Sequence, residues 1–407
     1  MNYKMMGRLI AQILLAEAAF MVPALIISLV GQDSQAILGF ALSILVILAV
    51  AGMLMFFARK AKKGFYAREG MVCVGLAWIV MSLLGCLPFW ISREIPSYLD
   101  GLFEIVSGFT TTGASILSNV EGLSKGMLYW RSFSHWVGGM GVLVFLLAVV
   151  PVSGRNDGFT MHLLRAESPG PNVAKLVPRI RSTAGILYIL YIVLTVVDLL
   201  LLLAGKMPVL EAVCTAFGTA GTGGFGVKND SMASYSPYIQ NVCTVFMLLF
   251  GVNFSCYYLL IMKQVKSVYE DEELRLYVGM VLGSVLLIVI NLRGFYGTLE
   301  ETVRHVFFQV ASIVTTTGFA TTDFDLWPGF SKSILLCLMV VGACAGSTGG
   351  GFKCGRLLLV FKSLRRKCFV HSESRQCAAT SRSYQRRCLK IQTPILLHMY
   401  LLLCLVC

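Results

Sequence analysis

The sequence predicts an all-α polytopic membrane protein, in which an N-terminal helix pair precedes repeats of a helix, a re-entrant loop and a second helix. Of its 407 residues, 57% are hydrophobic and 14% are charged. Soluble domains average about 45–50% apolar and about 25% charged residues, so both values indicate a membrane protein. Several apolar runs reach the roughly 20 residues that a helix needs to cross a bilayer. A third observation, a Thr/Gly segment that recurs between apolar runs, predicts the loops.

The net charge of +13 is concentrated in clusters. Basic clusters lie at 59–68, 165–181 and 362–367, each after an apolar run. Clusters beside alternate membrane exits are typical of cytoplasmic loops, and they also contact anionic lipid. This placement makes the lipid bilayer the expected partner and argues against direct contact with nucleic acid.

No pattern in the sequence is typical of an enzyme or of a metal centre. Its 13 cysteines include several inside apolar runs, where cysteine acts as a small buried hydrophobe. A single CxxC at 404–407 lacks a second pair and spaced histidines, which argues against zinc. No HExxH, GxSxG or Cys/His dyad occurs, so neither enzymatic activity nor a cofactor is expected.

The apolar runs predict a helix order with eight crossings. The first pair is expected at 8–31 and 35–57, before a basic cluster that marks the cytoplasmic side. Each repeat then has a spanning helix, a half-helix too short to cross the bilayer, and a second helix. The expected ranges are 71–92, 97–109 and 127–152 in the first repeat; 181–205, 208–218 and 237–262 in the second; and 275–293, 299–313 and 330–364 in the third.

The Thr/Gly segments are the candidate site. The first segment, Thr110–Gly113, returns as the third, Thr315–Gly318, and a less similar second copy lies at Gly221–Gly224. β-Branched Thr is stiff and Gly is costly in a helix, so the segments favour extended backbone with carbonyls pointing in one direction. A ring of such carbonyls replaces the water shell of an alkali cation. We interpret them as selectivity-filter strands of a cation pore; the alternative is ordinary turns between membrane helices.

The last apolar run contains a glycine-rich interruption. Three consecutive glycines, Gly349–Gly351, should unwind a helix, because each costs about 1 kcal/mol relative to Ala. A loop at this depth, beneath the filter, would act as a gate, and Lys353 beside it is a near-membrane cation. The alternative is a lysine that reaches from the helix end to the membrane surface.

Four further polar residues stand in or near apolar stretches. Glu104 is expected either to face the pore, where it would attract cations, or to have a structural role. His135 and His305 are expected to pack or to hydrogen-bond rather than to bind a ligand. Asn253 is expected to find a hydrogen-bond partner across helices.

Taken together, these motifs resemble the TrkH/KtrB superfamily of potassium transport proteins, and its TrkH/TrkG branch in particular. The matching segments are SGFTTTGAS (107–115), RSFSHWVGGMGV (131–142), KLVPRIRSTAGILY (175–188), TGGFG (222–226), TTTGFATTDFDLWP (315–328) and AGSTGGGFK (345–353). The resemblance implies helix–pore loop–helix repeats of potassium-channel type, K⁺ as the transported ion without any cofactor, and a multi-pass location in the inner membrane.

The resemblance also implies roles for individual residues and partners. The filter would be lined by Thr111, Thr112, Gly113, Thr222, Gly223, Gly224, Thr316, Thr317 and Gly318. The gate would consist of Gly346, Ser347, Thr348, Gly349, Gly350, Gly351 and Lys353. Glycine at position 113 favours K⁺, since serine there accompanies sodium in this superfamily. The implied partners are a second copy in a homodimer and a TrkA-like cytosolic nucleotide-binding regulatory subunit.

The family has four pore repeats, and three are found here. The expected divisions are an N-terminal hairpin (1–68), pore repeat 1 (69–152), a cytoplasmic loop (153–180), pore repeat 2 (181–264), pore repeat 3 with its broken last helix (265–367) and an aberrant or disordered tail (368–407). The alternative to a working potassium uptake protein is therefore a non-conducting, truncated fragment of such a transporter.

Overall fold

The computed structural model describes residues 2–59, 67–141 and 180–364. Within those ranges the chain forms helices and connecting loops and no strand, which confirms the all-α fold. The predicted loop at 153–180, apart from Ile180, and the predicted tail at 368–407 lie outside the described residues.

The chain consists of two compact units, with the boundary after Cys354. The first unit, residues 1–354, contains the Thr/Gly segments and the glycine-rich interruption. In the second unit, residues 355–364 are described, and they are helical. The candidate site therefore belongs to the first unit alone.

The N-terminal pair is a helical hairpin, as predicted. Helix α1 spans Tyr3–Val30 and α2 spans Ser34–Phe57. Asp33 caps α2, because its side chain accepts a hydrogen bond from the Ala36 N–H at 3.3 Å. Both helices keep many large apolar side chains exposed, as expected of helices that contact lipid.

Each of the three repeats contains a half-helix. The remaining helices are α3 (Ala67–Gly85), α4 (Leu87–Ile91), α5 (Tyr98–Phe109), α6 (Lys125–Met140), α7 (Ile180–Ala204), α8 (Val209–Ala220), α9 (Pro237–Phe250), α10 (Phe254–Ile261), α11 (Val265–Tyr269), α12 (Glu272–Asn291), α13 (Leu299–Val314) and α14 (Gly329–Val341), with a 3-10 turn at Phe324–Leu326. The half-helices α5 and α8 have 12 residues each and α13 has 16. At 1.5 Å per residue they are about 18–24 Å long, too short for a hydrocarbon core of about 30 Å.

The predicted continuous helix at 237–262 is wrong. The structure has two helices there, α9 and α10, which are bent by 88° at a short break. Asn253 in this break caps α10, because its Oδ1 accepts a hydrogen bond from the Ser255 N–H at 2.9 Å. We expected the Asn253 side chain to bond to another helix, but its partner is the nearby Ser255 N–H. Helix α9 ends at its C-cap Gly251, and Asn253 starts the next helix; these local signals outweighed the apolar composition.

The interruption of the last apolar run is confirmed. Helix α14 ends at Val341, and helical backbone resumes at Cys354. Between them lies a loop, Gly342–Lys353, which we call the glycine-rich loop. Its residues Gly342, Gly346, Gly351 and Lys353 all have positive φ, from 67° to 77°. Glycine reaches these values without steric cost, which explains why the helix stops here.

Among the described residues, five helices are long and apolar enough to cross a membrane, or six if the bent pair α9–α10 counts as one. The other two expected crossings are the second helix of the first repeat and the last apolar run. Helix α6 ends at Met140, and the rest of the expected helix, 142–152, lies outside the described residues. The last apolar run is divided, because α14 ends at Val341. The structure is therefore that of a multi-pass membrane protein with several re-entrant elements.

Helix α6 packs closely against the N-terminal hairpin because a glycine lets it approach α1 and α2. A side chain at Gly126 would collide with the Ser28 hydroxyl, and its Cβ would lie 2.9 Å from the Ala24 carbonyl oxygen and 3.2 Å from the Phe40 ring. Trp130, one turn later, is fully buried, and its indole N–H donates to the Gly85 carbonyl at 2.9 Å. Glycine allows this close approach of helices, which is common inside membranes.

We expect Gly126→Leu to destabilise the fold, because overpacking a filled interface typically costs about 1–3 kcal/mol. Gly75→Leu is the matched control, since Gly75 is an exposed helical glycine with no atom within 4 Å of its would-be Cβ. Thermal unfolding of the purified protein in detergent measures the effect. Equal melting temperatures for the two variants would contradict this account of the α1–α2–α6 packing.

Candidate functional site

The three Thr/Gly segments share one backbone conformation. Each begins where a half-helix ends: α5, α8 or α13. In each, two N–H groups donate back to the last helical turn: Thr111 to Gly108 (3.0 Å) and Thr112 to Ser107 (2.9 Å); Thr222 to Thr219 (3.1 Å) and Gly223 to Gly218 (3.1 Å); Thr316 to Ile313 (3.1 Å) and Thr317 to Ser312 (2.9 Å). This pair of bonds is the Schellman motif, which turns the chain out of the helix.

Threonine occupies the left-handed position of all three motifs. The φ angles there are 52° at Thr111, 51° at Thr222 and 59° at Thr316. Glycine is the usual residue at such a position, and a β-branched residue with positive φ is a genuine outlier. Strain of this kind costs on the order of 1–3 kcal/mol and concentrates at functional sites. Its recurrence at one equivalent position in three repeats indicates a function rather than chance.

A glycine with positive φ ends each segment and allows the segments to pack edge to edge. A Cβ at Gly113 would collide with the carbonyl oxygen of Gly223, and a Cβ at Gly224 would collide with that of Thr317. The second segment therefore lies between the first and the third. Its central position agrees with its burial: Thr222 is fully buried, whereas Thr112 in the first segment and Gly318 in the third are exposed.

The carbonyl oxygens of the segments have no hydrogen-bond donor in the part of the chain that the structure describes. This holds for three residues in each segment: Thr111, Thr112 and Gly113; Thr222, Gly223 and Gly224; Thr316, Thr317 and Gly318. The great majority of backbone carbonyls in proteins are paired, so a run of unpaired ones requires an explanation. The hydroxyls do not supply the missing bonds, because Thr110 pairs with Thr112 at 2.8 Å and Thr315 with Thr317 at 2.8 Å.

The half-helices add an electrostatic contribution. The C-terminal ends of α5, α8 and α13 lead directly into the segments. A helix C-terminus carries a partial negative charge equivalent to about half an elementary charge. Three such ends converge where the unpaired carbonyls lie, so the local field favours a cation over an anion or a neutral solute.

A buried ion pair holds the chain beyond the first segment. Glu104 on α5 is fully buried and accepts a hydrogen bond from Arg131 Nε at 2.5 Å. The same carboxylate accepts from the Ser115 hydroxyl at 3.0 Å and from the Ile116 N–H at 3.1 Å. Of the two roles expected for Glu104, its position fits the structural one. It fixes the chain just after Gly113.

Arg131 joins this ion pair to the second segment. Its Nη1 donates to the Gly226 carbonyl at 3.1 Å, and its guanidinium lies over the Phe225 ring at 3.5 Å. His135, one turn later on α6, also stacks on the Phe225 ring, with the two ring centroids 4.0 Å apart. His135 Nδ1 also accepts the Phe225 N–H at 3.4 Å. The histidine packs and hydrogen-bonds, as expected, rather than facing a ligand.

Two adjacent glycines of α6 bring this helix against both segments. A Cβ at Gly138 would collide with the Phe109 carbonyl and would lie 2.9 Å from Thr111 Cγ2. A Cβ at Gly139 would lie 2.7 Å from the Gly221 Cα. Glycines allow such close approach of a helix to its neighbours. Helix α6 thus supports the first and second segments from behind.

Polar side chains of α13 hold the chain beyond the third segment. The Ser312 hydroxyl donates to the Phe319 carbonyl at 2.6 Å, and Gln309 Nε2 donates to the Thr322 carbonyl at 3.2 Å. His305 Nδ1 lies 3.0 Å from the Thr321 hydroxyl, a hydrogen-bonding role as expected. These contacts fix the backbone after Gly318 in the way that Glu104 fixes it after Gly113.

Arg131, Ser312 and Gln309 were not among the predicted site residues. Each is a polar residue inside or beside an apolar stretch, and a buried polar side chain in a membrane protein is costly and usually functional. This signal could have identified Arg131, which is 3% exposed in the middle of α6. Ser312 and Gln309 give a weaker signal, because short polar residues are common in half-helices.

The glycine-rich loop lies directly against the third segment. The Gly350 N–H donates to the Thr316 hydroxyl at 2.7 Å, and a Cβ at Gly349 would lie 2.9 Å from the Thr315 carbonyl oxygen. Lys353 donates from its ammonium group to the Gly349 carbonyl, within the loop itself. The structure therefore brings the predicted gate residues and one predicted filter segment into contact.

Metal chelation by side chains finds no support in the described ranges: no group of three or more His, Cys, Asp and Glu residues could hold an ion there. The eight cysteines in those ranges are all free. Backbone carbonyls and threonine hydroxyls are hard oxygen ligands, which suit alkali cations rather than transition metals. The oxygen ligands of the segments are therefore of the type that a dehydrated alkali cation requires.

Known proteins are similar to this chain over most of its length. The family model of TrkH, described as a cation transport protein, matches residues 37–293 and 295–407. The Trk system potassium uptake protein TrkH of Salmonella typhimurium is 35% identical over 380 residues, which cover 91% of this chain and 78% of that protein. The Trk system potassium uptake protein TrkG of Escherichia coli is 32% identical over 348 residues, covering 84% and 71%.

The fold is also similar to a solved structure. The crystal structure of the potassium transporter TrkH from Vibrio parahaemolyticus superposes with a TM-score of 0.79 at 30% identity, covering 91% of this chain and 77% of that one. These relatives are transport proteins by name, in agreement with the expectation that the chain is not an enzyme. The match of the family model runs through residues 368–407; the disorder expected for that tail stays a prediction.

We expect Arg131→Met to cost about 3–5 kcal/mol of stability, because it leaves the Glu104 carboxylate buried without its counter-charge. Adding Glu104→Gln should restore a large part of the loss, since the remaining group is then neutral and can still accept hydrogen bonds. Denaturation in detergent of Arg131→Met, of Glu104→Gln and of the double variant gives the coupling between the two residues. Additive effects would show that the pair is not coupled.

The exposed pair Lys266–Glu270 on the protein surface provides the control for this measurement. Its charged atoms are 3.8 Å apart and its side chains are 88% and 60% exposed. Exposed ion pairs contribute little to stability. Lys266→Ala should therefore leave the melting temperature at the wild-type value.

Proposed function

Because this chain belongs to the TrkH family of cation transport proteins, we propose that it takes up potassium ions through a filter formed by its Thr/Gly segments. It is a multi-pass protein of the inner membrane, and its relatives are named as potassium uptake proteins. The proposal assigns the filter to the carbonyl oxygens of the residues that were predicted from the sequence.

One observation carries this proposal: unpaired carbonyls recur at equivalent positions of three strained turns. A cation that leaves water loses its hydration shell, and carbonyl oxygens arranged around it replace that shell. Neighbouring segments are close enough for their oxygens to act on one ion, because Gly113 packs on Gly223 and Gly224 on Thr317. The ends of the half-helices supply additional negative potential at the same place.

The surrounding side chains keep the carbonyls in place rather than touching the ion. Arg131 is engaged by Glu104, Gly226 and Phe225, so its positive charge is neutralised and held away from the segments' carbonyls. Inward movement of K⁺ then needs no chemical step. A membrane potential of 100 mV supplies about 2.3 kcal/mol per charge, enough to drive uptake against a concentration ratio of roughly fifty.

The glycine-rich loop is the gate in this proposal. Two of its residues, Gly349 and Gly350, contact the third segment. The proposed gate comprises Gly346, Ser347, Thr348, Gly349, Gly350, Gly351 and Lys353. A loop without side chains at three successive positions can rearrange at low steric cost, whereas a helix could not. Opening would require the loss of the Gly350–Thr316 bond.

The proposal extends to partners. A homodimer and a TrkA-like cytosolic nucleotide-binding subunit are expected from the family, and both stay predictions for this chain. The TrkA-like subunit would dock on the cytoplasmic face rather than on the filter itself.

We expect this protein to restore growth at low potassium, and rubidium uptake, in cells that lack their own potassium uptake systems. Gly224→Ala should lower the initial rate at least about tenfold, because alanine at positive φ is strained and its Cβ would collide with the Thr317 carbonyl. Gly75→Ala is the control, since nothing lies within 4 Å of its would-be Cβ. Uptake is normalised to the amount of protein in the membrane.

Two results would contradict the proposed function. One is a folded, membrane-inserted wild-type protein that gives no rubidium uptake above the empty cells. The other is a Gly224→Ala variant that transports as fast as the Gly75→Ala control.

We expect Gly113→Ser to weaken the preference for K⁺ over Na⁺. Gly113 has φ of 75° and packs on the Gly223 carbonyl, so a side chain there must move two filter segments apart. Wider spacing of the oxygens makes the filter less selective for K⁺. The smaller ion, Na⁺, can then pass with part of its water shell. Competition of Na⁺ with rubidium uptake measures this change, and unchanged competition would contradict the role of Gly113.

A further inference from the structure

Three consecutive residues of the glycine-rich loop are bound to the chain between α9 and α12. The Cys344 N–H donates to the Gly251 carbonyl at 3.1 Å, the Ala345 N–H donates to Glu273 Oε1 at 2.6 Å, and the Gly346 carbonyl accepts from the Phe254 N–H at 3.0 Å. We define residues 251–273, from the bend to the first turn of α12, as the connecting segment.

Glu273 differs from the other anchors because it holds the loop with a side chain. The other two contacts join backbone to backbone, so they do not depend on the identity of any side chain. The Glu273 contact is charge-assisted and short, which makes it stronger than a neutral hydrogen bond. It also reaches the loop from α12, a helix of the third repeat, whereas the other anchors come from the bend in the second repeat.

We infer that Glu273 is a positioning residue of the gate, whose carboxylate keeps the glycine-rich loop against the third Thr/Gly segment. The inference rests on the gating role proposed for that loop. With the Ala345 N–H held by Glu273 and the Gly350 N–H held by Thr316, the loop is fixed at both ends of its glycine-rich part. Displacement of the connecting segment would pull on the loop and release it from the filter.

A purely structural role for Glu273 makes a different prediction. Glu272 and Glu273 both lie in the first turn of α12, where a negative charge stabilises any helix. If this were the whole role, then loss of either charge would have similar effects, and glutamine at position 273 would be no better than alanine. If Glu273 positions the loop, glutamine should retain part of the effect, because its side-chain oxygen can accept the same hydrogen bond without the charge.

Cys344 provides a readout that does not depend on transport. This thiol lies in the loop beside Ala345 and is 1% exposed. Its alkylation by a maleimide, followed by peptide mass spectrometry, reports how often the loop leaves its place. We expect Glu273→Ala to speed alkylation of Cys344 about tenfold, as for loss of a charge-assisted bond. Glu273→Gln, which keeps a neutral hydrogen bond, should give a smaller acceleration, and Glu272→Ala should stay near the wild-type rate.

Rubidium uptake by the same variants tests the effect on the gate. Glu273→Ala should raise the maximal uptake rate and leave the half-saturating rubidium concentration unchanged, because the filter itself is intact. If Glu273→Ala does not accumulate in the membrane, Glu273→Asp, which is shorter by one methylene, should give a smaller acceleration of alkylation.

The outcomes separate this inference from the proposed function. Alkylation that is fastest in Glu273→Ala and slower in Glu273→Gln and Glu272→Ala supports the loop-holding role of Glu273, even if the wild-type protein takes up no rubidium and the proposed function fails. An unchanged alkylation rate in Glu273→Ala, or equal acceleration in Glu273→Gln and Glu272→Ala, overturns the inference and leaves the filter proposal standing.

Discussion

Unpaired backbone carbonyls at membrane depth are the constraint on which the rest of this structure depends. In lipid, each unsatisfied polar group costs several kcal/mol, so such backbone can exist only where protein surrounds it or where water or ions reach it. The half-helices bring the segments to this depth, and Gly113 and Gly224 let them pack edge to edge. Their strained threonines are stable because α5, α8 and α13 each end in two hydrogen bonds that fix the turn.

Keeping the carbonyls in one direction requires support from behind, and each repeat solves this problem with different residues. Glu104 holds the chain after the first segment, Arg131 and His135 hold it after the second, and Ser312 with Gln309 holds it after the third. The common element is a buried polar side chain bonded to the backbone just beyond the final glycine. The three repeats therefore share the geometry of their segments more closely than the side chains that maintain it.

This difference explains how much of the site the sequence could reveal. The Thr/Gly segments could be predicted because their amino-acid sequence recurs along the chain. The half-helices and the glycine-rich loop could be predicted because helix length and glycine content are local properties. Arg131 binds the Gly226 carbonyl, although the two residues are far apart in sequence and lie on different repeats. No local sequence pattern predicts this contact. The bend between α9 and α10 was missed because Asn253 stands in an otherwise apolar run, where hydropathy predicts a continuous helix.

The bend and the glycine-rich loop also depend on each other. Breaking a helix at membrane depth exposes backbone groups, and at this bend they include the Gly251 carbonyl and the Phe254 N–H. The loop has the complementary groups, the Cys344 N–H and the Gly346 carbonyl, and each pairs with one of them. Neither irregular segment would be satisfied alone in lipid, since both would leave polar groups without partners. A change that moves one segment must therefore disturb the other, because each satisfies polar backbone groups of its partner.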